Sequence, residues 1–343
     1  MMNSDSTIDI KNKNTENSVV ETSPRYLSID IFRGITIIMM VFVNTIGHFD
    51  NTPIWMRHAE DVGLTFVDLV APFFIFAIGL TYHISYMRNR EKYGPRDAFI
   101  KFLRRYTALL GIGLLGELRF TPDGFSFGWG AVPSIGIAGI MTLLVINQKK
   151  YVRLIIGILA TIAYQIVISV TFNIQGTEFI FTDIMYNESH GGILGGIGYG
   201  IMMIFSTVIC ESFEEKKFIW FIIWGGIFLI LGISTHFIWG ISKRRVSVPF
   251  ILISVGIGSL FYSLMWFLFD NKKITRNKSI ILQPVGKNSI FLYAAHSIST
   301  RLIVLISPAY IHIGFAILIT LVNVAAIIVI GIVLDKRKVY IVF

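Results

Sequence analysis

Cysteine and charge are both scarce in this chain of 343 residues. The single cysteine, Cys210, excludes an internal disulfide framework, and its position at the end of an apolar segment favours packing over nucleophilic chemistry. Charged residues make up 15% of the sequence and hydrophobic residues 54%, a balance too apolar for an ordinary soluble domain. The composition therefore predicts a protein whose solvent is lipid.

Several enzyme motifs are also absent. The chain contains no Walker motif, nucleophile elbow or metal-ligand spacing, so hydrolysis by those routes has no support and no metal is expected. The first 24 residues are polar and carry no apolar run, unlike a cleaved signal peptide. They predict a disordered cytoplasmic tail over residues 1–24.

Long apolar segments account for most of the remaining sequence. Crossing about 30 Å of hydrocarbon takes roughly 20 mainly apolar residues in a helix. Ten segments meet this requirement: 31–47, 63–87, 99–118, 128–146, 152–172, 192–210, 218–237, 248–269, 288–306 and 314–334. No strong repeat or long linker divides them. We therefore predict an all-α polytopic bundle of about ten transmembrane helices, forming one membrane domain over residues 25–338.

Basic residues are distributed unevenly between the two sides of these spans. Of the 30 Lys and Arg residues, 24 fall on the side of the N-terminus. The six on the opposite side are Arg57, Arg119, Lys243, Arg244, Arg245 and Arg301. Because positive charge favours cytoplasmic loops, both termini are predicted to be cytoplasmic, in a protein of the plasma membrane.

The positive charge has a second consequence. The net charge of +9 is spread over loops beside the membrane, where anionic headgroups attract it, so membrane lipid rather than nucleic acid is the expected partner. The run from Lys243 to Arg245 breaks the charge pattern. It indicates a local exception, a misplaced span or a functional basic cluster on the outer face.

A glycine-rich segment, GGILGGIGYG, opens the sixth span. Gly192, Gly196 and Gly200 recur every four residues, which is the spacing that lets two membrane helices approach closely. This segment predicts helix packing rather than a phosphate loop. The glycine and aromatic content of the lipid-facing surfaces is also compatible with a homodimer.

Polar residues concentrate around the loop between the first two spans. Asn44 lies near the outer end of span one, and the following loop contains His58 among several titratable groups. Asp68 falls in the first turns of span two, where the helix dipole favours an anion. Asp68 is therefore either a helix-end charge or a carboxylate that orients a histidine of the preceding loop.

Two linked segments resemble a known family. RYLSIDIFRGITIIMMVFVN (Arg25 to Asn44) and WMRHAEDVGLTFVDLVAPFFIFAIG (Trp55 to Gly79) are similar to the transmembrane acetyltransferase family typified by heparan-alpha-glucosaminide N-acetyltransferase. RRYTALLGIGLLGEL, KRRVSVPFILISVGIG and QPVGKNSIFLYAAH follow in the order that the family shows. The likeness is strongest before about residue 120 and weaker in the middle of the chain.

The resemblance implies an activity and a site. Members of this family move acetyl from cytosolic acetyl-CoA to an amino sugar across the membrane, and their catalytic histidine and asparagine fall on His58 and Asn44. His58 would accept the proton of the attacking amine, and Asn44 would donate an N–H to the developing oxyanion. The alternative is a route in which His58 itself carries the acetyl group. Glu60, Asp61 and Val62 stand where the family has an aromatic residue.

Coenzyme A brings phosphates, which require basic groups or helix N-termini on the cytoplasmic side. The candidates for this contact are Arg33, Arg104, Arg105, Lys287 and Asn288. Each of the basic candidates could equally anchor the chain at the inner membrane surface. The expected acceptor is an extracytoplasmic sugar, glycan or glycolipid.

Two other functions stay open at this point. Ten spans with inward-facing polar groups would also suit a transporter or flippase for a polar or lipid-linked solute, although such proteins usually show internal repeats. A structural subunit with a decayed active site is the third interpretation. It is disfavoured because Asn44, His58 and Asp68 are all present.

Overall fold

The computed structural model describes residues 26–121, 124–174, 177–180, 190–214, 218–271 and 281–340. The predicted tail over residues 1–24 lies outside these ranges. The eleven α-helices within them are α1 (Leu27–Ile46), α2 (Val70–Tyr93), α3 (Pro95–Gly116), α4 (Ala131–Val145), α5 (Lys150–Ser169), α6 (Gly192–Glu214), α7 (Ile219–Trp239), α8 (Val248–Trp266), α9 (Leu282–Lys287), α10 (Ser289–Ile306) and α11 (Ile313–Lys336). The predicted all-α bundle is confirmed.

Shorter elements connect these helices. Two 3₁₀ helices, Ile54–Met56 and Phe66–Leu69, lie between α1 and α2, and a π-helix (Phe267–Asn271) follows α8. Two antiparallel hairpins are β1–β2 (Leu118–Thr121 with Gly124–Phe127) and β3–β4 (Thr171–Ile174 with Thr177–Ile180). Both hairpins follow helices whose apolar pattern ends at the predicted outer face.

Among the described residues, eight helices are long and apolar enough to cross a membrane: α1, α2 with its preceding 3₁₀ turn, α5, α6, α7, α8 with the π-helix, α10 and α11. The other two predicted spans coincide with α3 and α4. Helix α3 begins with several charged residues, and α4 has only 15 residues. These long apolar helices indicate an integral membrane protein.

The helices form a central group and a peripheral group. Of the apolar window of α6, 83% is buried, against 22% for α5 and for α7. The outer helices expose many Ile, Leu and Val side chains, which is expected where the surrounding solvent is hydrocarbon. Helices α1, α2, α6 and α8 therefore form the buried centre of the bundle.

Glycines allow the central helices to approach closely. A Cβ at Gly34 of α1 would lie 2.1 Å from the Leu282 carbonyl oxygen, and one at Gly286 would lie 1.7 Å from the Asp30 carbonyl oxygen. Helix α6 packs against α4 in the same manner, because a Cβ at Gly200 would lie 2.6 Å from the Met141 sulfur. The predicted packing role of the glycine-rich segment agrees with this geometry.

Candidate active site

The loop between α1 and α2 is organised around one buried carboxylate. Asp68, which is fully buried in the 3₁₀ helix Phe66–Leu69, accepts hydrogen bonds at Oδ2 from the backbone N–H groups of Ala59 (3.2 Å) and Thr65 (3.0 Å). Thr65 and Asp68 form a reciprocal capping box at this helix. Asp68 thus caps a 3₁₀ turn rather than the first turns of α2, and it fixes the loop on which His58 lies.

The same carboxylate sets the tautomer of His58. Oδ1 of Asp68 lies 2.8 Å from Nδ1 of His58, and since an ionised carboxylate only accepts, Nδ1 carries the proton. Nε2 is then left with its lone pair. The side chain of His58 is 47% exposed, and it lines a small cavity. The geometry is that of a histidine oriented for proton abstraction.

The charges around His58 favour its neutral form. Partial burial and the nearby Lys243 and Arg244 charges lower the pKa of His58 below its ordinary value of 6.5, although the contact with Asp68 acts in the opposite direction. A base with a lowered pKa stays unprotonated to a lower pH. His58 is therefore neutral at physiological pH.

Asn44 lies on α1, and its side chain is held by a contact with α10. Its Nδ2 donates to Nε2 of His296 on α10 at 3.0 Å, and the His296 Nδ1 donates in turn to the Tyr293 carbonyl oxygen at 2.5 Å. This chain of contacts fixes the amide with its N–H groups on the His296 side. Asn44 has a second N–H to offer to a ligand. His296 is buried in α10 and lies 252 positions from Asn44, so no spacing in the sequence connects the two.

Asn44 and His58 both line one cavity of about 60 Å³ between α1, α2 and the outer loops. One water molecule needs about 10–15 Å³ of cavity volume measured in this way. The cavity at His58 therefore has room for a group the size of acetyl. The polar side chains on its wall belong to Asn44, His58, His190, Lys243 and Tyr293. The structure therefore brings Asn44, His58 and Asp68 together, and it adds His190 and Lys243, for which the sequence indicated no contact with His58.

Lys243 reaches the site from the loop between α7 and α8. This loop is joined to the His58 loop by Asp61, which accepts from Ser242 Oγ (2.8 Å) and from Arg245 Nη2 (3.0 Å). The Gly63 N–H also donates to the Ile241 carbonyl oxygen at 2.9 Å. The basic run that broke the charge pattern therefore has a structural explanation, because one member contacts His58 and another pairs with Asp61.

A second set of cavities lies between α3 and α10. The larger, of about 250 Å³, is lined by Leu109 and Gly113 of α3 and by Tyr293 and Ser297 of α10. The smaller, of about 30 Å³, is lined by Arg105 and again by Tyr293. Tyr293 thus borders both of them and also the cavity at His58. We call the two cavities between α3 and α10 the α3–α10 cleft.

The predicted phosphate-binding residues fall in different places. Arg105 lines the α3–α10 cleft, and its buried Nε has no hydrogen-bond partner among the described residues. Arg104 is exposed on a different face of α3. Arg33 donates to Thr81 Oγ1 at 2.5 Å on the wall between α1 and α2.

Two further candidates lie at the junction of α9 and α10. Lys287 pairs with Asp335 at 2.8 Å and lies over the Tyr340 ring, whereas Asn288 is fully buried between the two helices. The structure therefore brings Arg105 alone of the five to the α3–α10 cleft.

Comparison with known proteins points to one family. Residues 25–190 match the family model described as heparan-alpha-glucosaminide N-acetyltransferase, catalytic. This chain resembles that catalytic family. Human heparan-alpha-glucosaminide N-acetyltransferase is 44% identical over 63 residues, which is 18% of this chain and 9% of the human protein. The resemblance inferred from the sequence is confirmed, and the match covers a small part of the human relative's length.

The family match contains Asn44, His58, Asp68 and Arg105 and ends at His190. Lys243, Tyr293 and His296 lie beyond it. Two residues of the cavity wall, Lys243 and Tyr293, and the His296 partner of Asn44 therefore come from the other half of the chain.

Proposed function

We propose that this chain is a membrane acetyltransferase that moves acetyl from cytoplasmic acetyl-CoA to an amine on an extracytoplasmic sugar, glycan or glycolipid. The observation that carries the proposal is one cavity lined by Asn44 and by the Asp68-oriented His58, which shares Tyr293 as a wall residue with the α3–α10 cleft. The family likeness supports the reaction class. The proposed domain is residues 25–338.

The orientation of the reaction follows from the charge distribution. With both termini in the cytoplasm, the loop that carries His58 faces outside, and Arg105, at the middle of α3, falls in the inner half of the predicted span 99–118. The plasma membrane is the proposed location. A donor whose phosphates sit near Arg105 would extend its pantetheine arm along the α3–α10 cleft and present its thioester beyond Tyr293.

The chemistry assigns one task to each residue. The acceptor amine attacks the thioester carbonyl carbon, a C–N bond forms, and the carbonyl oxygen becomes an oxyanion that Asn44 Nδ2 faces. His58 Nε2 accepts the proton from the attacking nitrogen, and Asp68 stabilises the resulting imidazolium. The C–S bond then breaks, and the proton passes from His58 to the leaving thiolate. The products are the acetylated amine and free coenzyme A.

A covalent route uses the same residues. In that route His58 Nε2 attacks the thioester, coenzyme A leaves, and the acceptor amine then takes the acetyl group from the imidazole. The open lone pair of Nε2 suits both routes. They differ in whether label from acetyl-CoA stays on the protein when no acceptor is present.

The test of the proposal is acetyl transfer across a membrane by the purified protein in liposomes. Labelled acetyl-CoA is enclosed inside and a panel of amino sugars and amine-bearing glycolipids is supplied outside. We expect label on an outside acceptor, in proportion to the fraction of protein with its termini inside. Acceptor uptake without acetyl-CoA consumption would instead identify a transporter, and folded protein that binds no coenzyme A would also contradict the proposal.

A matched pair of variants tests the donor path. Arg105→Ala should raise the KM for acetyl-CoA about 10-fold or more, because a charge-assisted contact contributes about 1.5–3 kcal/mol. Arg104→Ala, one position along the same helix and exposed, should change it little. S-Acetylpantetheine lacks the nucleotide phosphates and should react equally well with both variants. Equal effects of the two substitutions on acetyl-CoA would remove Arg105 from the donor site.

A further inference from the structure

One charged residue of the cavity has no part in the reaction described so far. Lys243 is 7% exposed, yet a lysine seldom lies in the interior without an ionic partner close by. Its Nζ lies 3.1 Å from Nδ1 and 3.2 Å from Nε2 of His58. The ammonium is therefore buried against the imidazole that the proposed mechanism uses as its base.

The two nearly equal distances fix where the ammonium sits. The Cε1 carbon lies between the two ring nitrogens, so a point in the ring plane at these distances would collide with it. Nζ must lie out of the plane, over the face of the imidazole. From there it does not occupy the in-plane lone pair of Nε2, which remains able to accept a proton.

Contacts between the two loops hold Lys243 in this position. The Asp61 contacts to Ser242 and Arg245 join the two loops on either side of Lys243, and the backbone of Gly63 adds a third link. Lys243 lines the same cavity as Asn44. Two groups that stabilise negative charge, an ammonium and an amide N–H, thus border the space in which the acyl group would react.

We propose that Lys243 is a third residue of the acetyl-transfer centre, where its ammonium faces the oxyanion on the thioester carbonyl together with Asn44. This inference rests on the proposed function. The Lys243 charge also acts on His58, because a cation over the ring opposes a positive imidazolium and keeps the base neutral. The charge adds to the electrostatic stabilisation that usually contributes most to such reactions.

The titration of the site follows from the groups that face each other. His58 is surrounded by Asp68 on its own loop, by Lys243 and Arg244 on the α7–α8 loop, and by His190 before α6. Burial, partly offset by Asp68, lowers the pKa of Lys243 to about 8. The wild-type rate should therefore rise as His58 loses its proton below pH 6.5 and fall as Lys243 loses its proton near pH 8.

The experiment compares Lys243→Met, which keeps the length of the side chain, with Lys243→Arg, which keeps the charge. Lys243→Met should lower kcat about 10- to 100-fold with an unchanged KM for acetyl-CoA, since the oxyanion exists only after binding. In the pH–rate profile of Lys243→Met, the acid limb, where the rate rises with pH, should move to higher pH. The basic limb, where the rate falls again, should disappear. Lys243→Arg should keep the acid limb near its wild-type position and move the basic limb upward. A weakly basic acceptor amine, unprotonated over the range scanned, keeps its own titration out of these limbs.

A second readout does not depend on catalysis. In protein with isotopically labelled histidine, assigned with His58→Gln, the NMR resonance of His58 should titrate at higher pH in Lys243→Met than in the wild type. A wild-type kcat and unmoved limbs in folded Lys243→Met would overturn the inference while leaving the proposed function intact. A reduced folded fraction with unmoved limbs would reduce Lys243 to a structural residue and also overturn it.

The two proposals fail in different ways. If wild-type protein transfers acetyl and His58→Gln does not, the proposed function stands whatever the Lys243 variants do. If the wild type transfers no acetyl at all, the proposed function fails, and the oxyanion role of Lys243 fails with it. The histidine titration would then still show whether the two side chains interact electrostatically.

Discussion

Replacing His58 with Ala should lower kcat about 10³-fold or more while the protein stays folded and inserted. A positioned general base contributes about 10²–10⁴-fold, and His58 is the one side chain at this cavity that Asp68 orients with an open Nε2. The KM for acetyl-CoA should change little, because the proposed donor path follows the α3–α10 cleft, whose lining does not include His58. The measurement is initial rate against acetyl-CoA concentration, with detergent gel filtration to compare folding.

His48→Ala is the matched control for this variant. His48 lies in the same outer loop and does not line the cavity around His58. It should retain the wild-type rate within about 2-fold. Near-complete activity in the His58 variant would show that another group accepts the amine proton, and the assigned mechanism would be wrong.

The His58 variant also separates the two chemical routes. Wild-type protein incubated with labelled acetyl-CoA and no acceptor should retain protein-bound label only if the imidazole carries the acetyl group. Added imidazole should restore part of the lost rate in His58→Ala if the residue acts as a base, provided that the cavity of about 60 Å³ and the space left by the side chain admit it. We expect rescue and no retained label.

Replacing Asp68 with Asn should lower kcat about 10²-fold or more, although the substitution barely changes the shape of the side chain. Two backbone N–H groups, from Ala59 and Thr65, point at Oδ2. An amide must keep its oxygen toward them, which turns its NH₂ group to His58 Nδ1. That nitrogen must then accept, so the ring proton moves to Nε2, and the base is lost. In a serine protease triad the corresponding change costs about 10⁴-fold.

Asp50→Asn serves as the control, because Asp50 is an exposed carboxylate of the same loop. It should behave as the wild type. The decisive measurement is the tautomer of His58, which nitrogen-15 chemical shifts report directly. An Asp68→Asn variant with the proton still on Nδ1 and a normal rate would contradict the orientation argument.

Much of the fold was predictable because lipid imposes strict rules on a sequence. Every span must satisfy its own backbone, so long apolar segments become helices, and each of the ten predicted segments coincides with one. For helix α3, the apolar pattern does not define where a membrane span begins. Its charged first turns extend the helix beyond the apolar part, and composition alone does not separate a span from a partly extramembrane helix. The hairpins β1–β2 and β3–β4 carry too short a pattern to be seen.

The site was predictable only where its residues are close in sequence. Asn44, His58 and Asp68 lie within one motif region, and the structure places them together. Lys243 is 185 positions from His58, so no spacing rule connects the two. A signal did exist, since the run from Lys243 to Arg245 violated the charge pattern of the loops. Arg104 and Arg105 show the opposite problem, because adjacent residues on a helix face different ways.

The candidate site is assembled from both halves of the chain, and the contacts of Asp61 join the His58 loop to the loop that carries Lys243. His58 belongs to the half of the chain that matches the family model, whereas Lys243 and the His296 partner of Asn44 belong to the other half. Neither half contains the complete constellation. A shortened form ending near residue 190 would still resemble the family in sequence. It would nevertheless lack His296, which contacts Asn44, and Lys243, whose charge lies beside His58. Sequence likeness and chemical competence therefore have different boundaries in this protein.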